Sequence, residues 1–235
     1  MPGYHWLPDR WKVLAQARRG HRDASVLHEQ MPALASANPA ADRILPDIEQ
    51  RHAEYILATG TNAEMAASIE LCRFLVRWCA STFPKRIADL GSGISSWTLR
   101  TWRDSEFPTC EIYSVDDNPN WLDRSREFSA AAGTGEAGFV PMDQFLANPA
   151  VVGSFDLVVC DFGTVRNRAT KMQLAFDLVA PGGAIVCDDV QKARIWRAVR
   201  TATRRSRFVG HSLREQTLDS QGRFAWLARR PGQAV

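Results

Sequence analysis

The chain has 235 residues, of which 45% are hydrophobic and 23% charged, and its formal net charge is +3. This length fits one domain with an added cap better than two full domains, and the composition is that of a soluble globular protein. So small a net charge does not by itself indicate a nucleic-acid-binding protein, and no apolar run approaches the roughly 18 residues that a membrane span requires.

The cysteines and the first residues of the chain bear on its location in the cell. None of the five cysteines forms a C-x-x-C pair, and three of them stand in or beside apolar runs, which indicates buried, reduced thiols. Residues 1–14 mix charged side chains with two tryptophans and contain no apolar core of a targeting segment. We therefore expect a cytoplasmic protein with no membrane association.

Residues 1–60 are predicted to form a helical arm or cap ahead of a larger domain at residues 61–235. The arm carries Trp6 and Trp11, which either cover a substrate site or pack against a second subunit. The sequence leaves both alternatives open, so a homodimer is among the expectations.

The helices of this arm are weakly patterned. Residues 1–20 are predicted to contain a short amphipathic helix, residues 20–45 a linker or loosely packed segment, and a further helix to begin after Pro46. Asn62 is predicted to cap the next helix, whose broad apolar face lies within residues 69–79. That helix leads directly into the first strand, so it either covers the ligand-binding edge of a sheet or belongs to the core.

From residue 86 onward, short apolar strands alternate with helices, a pattern typical of a parallel sheet with helices on both faces. The first five predicted strands lie at 86–90, 111–116, 139–140, 155–161 and 184–189. Two further strand-like segments, 208–213 and 224–227, have no helix between them. They predict a terminal hairpin that gives the sheet an antiparallel edge.

The first strand leads into the most informative stretch of the chain. Gly91 and Gly93 allow a tight turn, and Ser95 and Ser96 are suited to begin a helix. Such a junction presents backbone N–H groups at the positive end of the helix dipole and lets a ligand approach the main chain. The stretch therefore predicts a turn that binds a nucleotide-like ligand.

Acidic residues recur at the carboxyl ends of the predicted strands, where open parallel sheets bind ligands. The residues at these ends are Gly91 to Gly93, Asp116 and Asp117, Met142 and Asp143, Asp161, and Asp188 and Asp189. Carboxylates clustered at one rim repel one another. We therefore expect a bound group that offsets this repulsion.

Asp116 ends the second strand, 25 positions after Gly91. Its carboxylate can accept hydrogen bonds from both hydroxyls of a ribose, as in folds of this kind. The alternative role, capping the following helix, is served equally well by Asp117 or Asn118. A dinucleotide-binding turn requires a third glycine where this chain has Ser96, so a nucleoside cofactor without a pyrophosphate is favoured.

One stretch resembles the glycine motif of the class I S-adenosylmethionine-dependent methyltransferases, in its G-S-G-x-S variety. That stretch is Ile87-Ala88-Asp89-Leu90-Gly91-Ser92-Gly93-Ile94-Ser95-Ser96. Further matches, in order, are Asp116, Asp143, the strand at 155–161 and the segment 178–184. The resemblance covers about residues 60–229. It implies an α/β, Rossmann-like fold with a seven-stranded, mostly parallel sheet of order 3-2-1-4-5-7-6, an antiparallel terminal strand and helices on both faces.

The resemblance also implies S-adenosylmethionine as cofactor and the residues that hold it. Asp116 would bind the ribose, and Met142 and Asp143 would lie along the adenine. Asp161 would face the sulfonium end. The full set predicted to contact the cofactor is Asp89, Gly91, Ser92, Gly93, Asp116, Asp117, Met142, Asp143 and Asp161.

Asp161, Asp188 and Asp189 resemble the metal site of the catechol-type O-methyltransferases, in which one acid follows the fourth strand and an acid pair, usually Asp-Asn, follows the fifth. Three oxygen ligands suit an octahedral Mg²⁺, which would lower the pKa of a bound hydroxyl. The alternative is that Asp188 and Asp189 cap the following helix or line the acceptor pocket without a metal. Asp161 and Asp188 are the candidate catalytic residues.

The resulting expectation is a methyltransferase that acts on a small molecule, at oxygen. Residues 161–164, Asp-Phe-Gly-Thr, lack the N-P-P-Y-like motif of nucleic-acid amino methyltransferases, which argues against a nucleic-acid partner. The arginines between residues 194 and 207 lie mostly on the solvated face of a predicted helix. The alternatives left open are methylation of nitrogen, of a peptide or of RNA, and a protein that binds the cofactor without catalysis.

Overall fold

A computed structural model describes residues 9–62 and 64–232, and within them it shows seven strands and nine α-helices. Trp6 and the side chain of Trp11 lie outside this description. The strands are β1 (Arg86–Leu90), β2 (Glu111–Asp116), β3 (Phe139–Pro141), β4 (Phe155–Cys160), β5 (Val179–Cys187), β6 (Val209–Ser212) and β7 (Trp226–Arg229). The helices are α1 (Asp9–Gln30), α2 (Pro39–Thr59), α3 (Ile69–Thr82), α4 (Ile94–Glu106), α5 (Pro119–Ala131), α6 (Met142–Ala147), α7 (Val165–Asp177), α8 (Ala193–Arg205) and α9 (Arg214–Thr217).

The strands form one sheet in the order β3-β2-β1-β4-β5-β7-β6, which confirms the predicted order. Strand β1 pairs in parallel with β2 and β4, whereas β7 runs antiparallel to β5 and β6. The prediction that no helix separates the last two strands is wrong, because α9 makes one turn there. That turn closes as the backbone N–H groups of Gln216 and Thr217 donate to the Leu213 carbonyl.

Helices cover both faces of the sheet. Successive strand residues point to opposite faces, and because both sets are apolar here, each face packs against helices. Ile87 and Val159 belong to the apolar core shared with α2, α3 and α4. Ala88 and Val158, their neighbours along the chain, belong to the core shared with α7 and α8. All four are buried, as expected for a parallel sheet that is covered on both sides.

The cysteines are buried, as predicted. Free thiols are found at Cys72, Cys79, Cys110, Cys160 and Cys187. Burial raises the pKa of the Cys72 thiol to about 12, so this thiol stays protonated and unreactive at neutral pH. Among the helices described, none combines the length and the apolar character needed to cross a membrane.

The N-terminal part is more ordered than predicted, and the linker expected at residues 20–45 is wrong. Leu27 of α1 and Ile48 of α2 are fully buried, and this packing stabilises helices whose pattern is weak. Helix α2 begins after Asn38, whose side chain accepts hydrogen bonds from two backbone N–H groups. Pro46 lies inside α2 and not before its start, so its ring removes one helical hydrogen bond.

The start of α3 also differs from the prediction. Asn62 accepts a hydrogen bond from the Met65 N–H at 2.9 Å, within a loop. Ser68 caps α3, because it has the extended backbone that a cap requires and accepts a hydrogen bond from the Leu71 N–H at 3.1 Å.

Helix α1 covers strand β6, which lies at the edge of the sheet. The Asp23 carboxylate of α1 accepts a hydrogen bond from the Ser212 N–H of β6 at 2.7 Å. Arg19 lies over the Trp226 ring of β7, 5.0 Å from the ring centroid. An uncovered edge strand offers unpaired backbone groups to other chains. Helix α1 covers β6 and supplies a hydrogen-bond acceptor for one of its backbone N–H groups.

Replacing Asp23 with alanine is expected to lower the free energy of unfolding by about 1–2 kcal/mol, because the Ser212 N–H loses a charged acceptor. Urea denaturation measures this quantity. The matched control is Glu29→Ala, an exposed acid on the same helix, which should change stability by less than about 0.5 kcal/mol. Equal effects of the two variants would contradict the role of Asp23.

Candidate functional site

The turn between β1 and α4 packs directly on the end of β4. The Asp161 N–H donates to the Leu90 carbonyl at 2.7 Å, and the Gly91 N–H donates to the Val115 carbonyl of β2 at 2.7 Å. Gly91 has a φ of +104°, and a Cβ built on it would lie 2.5 Å from the carbonyl carbon of Asp161. Glycine is therefore required at residue 91 for both its backbone conformation and its packing.

Asp89 lies beneath this turn and is fully buried. The Ser95 hydroxyl donates to Oδ1 at 3.0 Å and the Ser96 hydroxyl to Oδ2 at 2.5 Å, while the Ser96 oxygen accepts from the Gly93 N–H at 3.2 Å. Burial raises the pKa of Asp89 to about 7, against the effect of the two serine hydroxyls. Ser96, which stands where a dinucleotide-binding turn has its third glycine, thus links the turn to a buried carboxyl group.

Asp116 joins the end of β2 to the glycine turn. Its Oδ2 accepts hydrogen bonds from the Ser92 N–H at 2.9 Å and the Ser92 hydroxyl at 3.2 Å, and its Oδ1 accepts from the Asn118 N–H at 2.8 Å. Burial raises the pKa of Asp116. The cap of α5 is Asn118, whose side chain accepts from the Asn120 N–H. Capping α5 is therefore not the role of Asp116.

The remaining residues predicted to contact a cofactor lie along the same edge of the sheet. Asp117 is exposed and approaches the loop after β4, where a Cβ built on Gly163 would lie 2.9 Å from its Oδ2. Met142 is buried at the start of α6, directly after β3. Asp143 beside it is exposed, and its Oδ1 accepts from the Gln144 N–H.

Two residues beside this turn escape sequence reasoning. Tyr55 of α2 lies near the turn, since a Cβ built on Gly93 would be 3.6 Å from its hydroxyl oxygen. Arg100 of α4 is buried and donates to the Ser114 hydroxyl of β2 at 2.6 Å and to the Ala137 carbonyl at 2.9 Å. In the sequence, Tyr55 stands among core residues and Arg100 among many arginines, so neither stands out.

The loops after β4 and β5 carry Asp161, Asp188 and Asp189, and an arginine lies among them. Nη1 of Arg168, from the first turn of α7, is 2.6 Å from Asp161 Oδ1 and 3.3 Å from Asp189 Oδ2. Lys192 Nζ lies 2.7 Å from the same Asp189 oxygen. Two of the three carboxyl groups, those of Asp161 and Asp189, therefore pair with the two cations.

The predicted Mg²⁺ site at these acids is corrected by this geometry. A magnesium ion requires oxygen atoms that point at one common centre, about 2.0–2.1 Å away. Here a guanidinium group fills the space between Asp161 and Asp189. Within residues 9–62 and 64–232, no three His, Cys, Asp or Glu side chains are arranged to hold a metal ion. The residues present do not fit a divalent cation.

The three carboxyl groups differ in their electrostatics. Burial raises the pKa of Asp161, and the charge of Arg168 opposes this rise. Burial acts in the same direction on Asp189, but the hydrogen bond from Lys192 and the charge of Arg168 bring its pKa below the usual value. Burial and the charges of Asp161 and Asp189 raise the pKa of Asp188 to about 7. Asp188 can therefore exchange a proton near neutral pH, whereas Asp189 stays ionised there.

Solved structures share this architecture over almost the whole chain. The O-methyltransferase TomG from Streptomyces achromogenes, involved in tomaymycin synthesis and in complex with S-adenosylmethionine, aligns with a TM-score of 0.57 at 18% identity. The alignment covers 92% of this chain and 99% of TomG. The chain has the class I methyltransferase fold. A second methyltransferase of this fold, the O-methyltransferase from Bacillus cereus in complex with S-adenosylhomocysteine, has a TM-score of 0.55 at 14% identity, with 91% and 98% of the two chains covered.

Sequence comparison gives a shorter match to a methyltransferase. Methyltransferase str3 of Strobilurus tenacellus is 29% identical over 109 residues, which are 46% of this chain. The match spans 36% of that relative's length, so the relative is much longer than the aligned region. No protein-family model matches the chain.

Replacing Gly91 with alanine is expected to destabilise the protein far more than the same change at Gly133. Both glycines have positive φ, +104° and +82°, so each alanine is strained by about 1 kcal/mol. Only at Gly91 would the new Cβ also overlap the Asp161 carbonyl, whereas nothing lies within 4 Å at Gly133. Thermal unfolding of both variants measures the difference. Similar losses of Tm would contradict the packing role of Gly91.

Asp89→Asn is expected to flatten the pH dependence of stability between about pH 4 and 7. An unfolded aspartate has a pKa of about 3.9, and the folded value is about 7, so the folded state binds more protons in this window. The free energy of unfolding therefore falls as pH rises, by at most about 1.4 kcal/mol per pH unit for this group. Asparagine carries no charge, and its single side-chain oxygen can accept one of the two serine hydrogen bonds while its NH2 group can donate to the other serine oxygen.

Urea denaturation at several pH values in this window gives the slope for each protein. Asp188 contributes in the same direction in both proteins, so the difference between the slopes reports on Asp89. Identical slopes for wild type and Asp89→Asn would refute this account of the buried carboxyl group.

Proposed function

We propose that this protein transfers a methyl group from S-adenosylmethionine to an oxygen atom of a small molecule. The observation that carries the proposal is the hydrogen bonding of Asp116 to Ser92, which joins the end of β2 to the glycine turn after β1. This junction lies near the point where the strand order reverses, which is where open α/β sheets bind their ligands. The neighbours of the same fold that were solved with S-adenosylmethionine and S-adenosylhomocysteine support the choice of cofactor.

The residues at the junction fit such a cofactor. The main chain at Gly93 is open, because the nearest atom to a Cβ built there is the Tyr55 hydroxyl at 3.6 Å. Asp116 is proposed to accept hydrogen bonds from the ribose hydroxyls, and Met142 and Asp143 to lie along the adenine. These assignments follow the order of the strand ends along the edge, from β3 through β2 to β1.

The other predicted contacts complete the proposed cofactor site. Asp89 and residues 91–93 are proposed to border the methionine part. Asp161 is proposed to lie at the sulfonium end and Asp117 to border the cofactor between the loops after β2 and β4. When bound, S-adenosylmethionine supplies a methyl group on a positively charged sulfur atom. The protein's task is then to align the acceptor oxygen with that methyl group.

Asp188 and Asp161 are the proposed catalytic residues. The Asp188 carboxylate accepts a hydrogen bond from the Asp189 N–H at 2.7 Å, and among the described residues it forms no ion pair of the kind that holds Asp161 and Asp189. A pKa of about 7 suits a general base at neutral pH. Asp188 would accept the proton that the acceptor hydroxyl group loses when the methyl group passes from sulfur to its oxygen and S-adenosylhomocysteine is left. Asp161, held by Arg168, is proposed to orient the reacting groups.

The acceptor is proposed to be a small molecule, since the neighbours of this fold are described as O-methyltransferases. A domain boundary at residue 60, a cytoplasmic location, a homodimer and the absence of a nucleic-acid partner stay predictions.

Isothermal titration is expected to show saturable binding of both S-adenosylmethionine and S-adenosylhomocysteine to the wild-type protein. Asp116→Ala should weaken binding by about tenfold or more, because the ribose hydroxyls lose a charged acceptor and the turn loses its tie to β2. The matched control is Glu127→Ala, an exposed acid on α5, which should bind as wild type does. No binding of either compound to wild type would reject the proposed cofactor, and unchanged affinity in Asp116→Ala would reject the role of Asp116.

A further inference from the structure

We infer that the Arg168 guanidinium takes the place of a divalent cation between the ends of β4 and β5, and that this site excludes metal ions. The inference rests on the proposed function and sharpens it, because it makes the acid cluster a metal-independent part of the acceptor site. Arg168 is then a positioning residue that acts through Asp161 and Asp189.

The guanidinium is buried among hydrogen-bond acceptors from the loops after β4 and β5. Its Nη1 meets both Asp161 and Asp189, at 2.6 and 3.3 Å. Its Nε donates to the Phe162 carbonyl at 3.0 Å, and its Nη2 lies 3.5 Å from the Gly163 carbonyl. The residue is 4% exposed. A buried, planar group with contacts on several sides is held in one orientation and leaves no space between these acids for a hydrated ion.

Both carboxylate oxygens of Asp189 already accept hydrogen bonds from protein groups. Its Oδ2 accepts from Arg168 and from Lys192, and its Oδ1 accepts from the Gln191 side chain at 2.9 Å. Its backbone has a φ of +64°, a left-handed conformation that aspartate tolerates better than most residues. This conformation belongs to the turn after β5, in which the Lys192 N–H donates to the Asp189 carbonyl.

Charge balance leads to the same assignment. Two cations, Arg168 and Lys192, pair with two of the acids, Asp161 and Asp189. The third acid, Asp188, is the one without such a partner among residues 9–62 and 64–232. A divalent ion would have to share this space with the fixed guanidinium, and the two positive charges would repel each other strongly in a buried site.

The start of α7 explains how Arg168 reaches the acids. The Thr164 hydroxyl caps α7 by accepting from the Asn167 N–H at 3.2 Å, so the helix begins within a few residues of Asp161. The first turn of α7 then places the Arg168 side chain beside the end of β4.

A site without a metal ion also bears on the molecule that accepts the methyl group. That molecule needs no pair of neighbouring oxygen atoms to chelate a metal, and a single hydroxyl group is enough.

The test is a titration with Mn²⁺, followed by electron paramagnetic resonance, on protein without cofactor or acceptor. Wild type is expected to show no saturable binding up to millimolar concentrations, and EDTA should leave its Tm unchanged. Arg168→Met removes the blocking charge and frees Asp161, so it should show saturable Mn²⁺ binding, with a Kd at least about tenfold below the highest concentration at which wild type shows none. Arg168→Lys restores a positive charge and should again bind no Mn²⁺.

The matched control is Arg166→Met, which removes one exposed positive charge from the same helix turn and should behave as wild type. A purely structural role of Arg168 predicts loss of Tm in Arg168→Met without any gain of Mn²⁺ binding, and that outcome overturns the inference. Saturable Mn²⁺ binding by wild type overturns it as well. If Arg168→Met does not fold, Arg168→Gln takes its place.

This experiment and the cofactor titration fail independently. Binding of Mn²⁺ by wild type would leave the proposed cofactor untouched, whereas absence of S-adenosylmethionine binding would leave the cation assignment as it stands.

Discussion

The whole edge of the sheet depends on the close approach of two strand ends, where the turn at Gly91 packs on the backbone of Asp161. No side chain fits between them, so the first βα turn and the end of β4 form one surface. The hydrogen bonds from Ser92 to Asp116 extend that surface to β2. Arg168 extends it in the other direction, toward β5. These contacts hold the carboxyl ends of four neighbouring strands, β2, β1, β4 and β5, in fixed positions relative to one another. A ligand that lies across several strand ends requires such a surface.

The repulsion among the acids at this edge is reduced largely by the protein's own groups. Serine hydroxyls surround Asp89, backbone N–H groups meet Asp116, and an arginine and a lysine pair with Asp161 and Asp189. The expectation that only a bound group could offset the clustered charges was therefore too simple. The donors do not act equally on the pKa values, because Lys192 and Arg168 bring the pKa of Asp189 below its usual value, whereas burial raises the pKa of the other acids.

Much of the fold could be predicted from the sequence, because buried parallel strands appear as short apolar runs bounded by glycine, proline or acidic residues. Gly91 and Asp116 could also be recognised, because each stands at the end of a predicted strand and the spacing between them matches one βα unit. Arg168 did not, because its role depends on where the first turn of α7 returns to the sheet. The helices within residues 20–45 could not be predicted, because apolar positions are few there and only tertiary packing stabilises these helices.

The cover of β6 by α1 has a consequence for how the chain is made. The Asp23 carboxylate and the Ser212 N–H are 189 residues apart in the sequence, so α1 has no docking site until β6 has been synthesised. Contacts between such distant parts of a chain form slowly and late. The central strands can assemble earlier around β1 and β4. Docking of α1 therefore requires that β6 and β7 have formed, and it then covers the edge of the sheet.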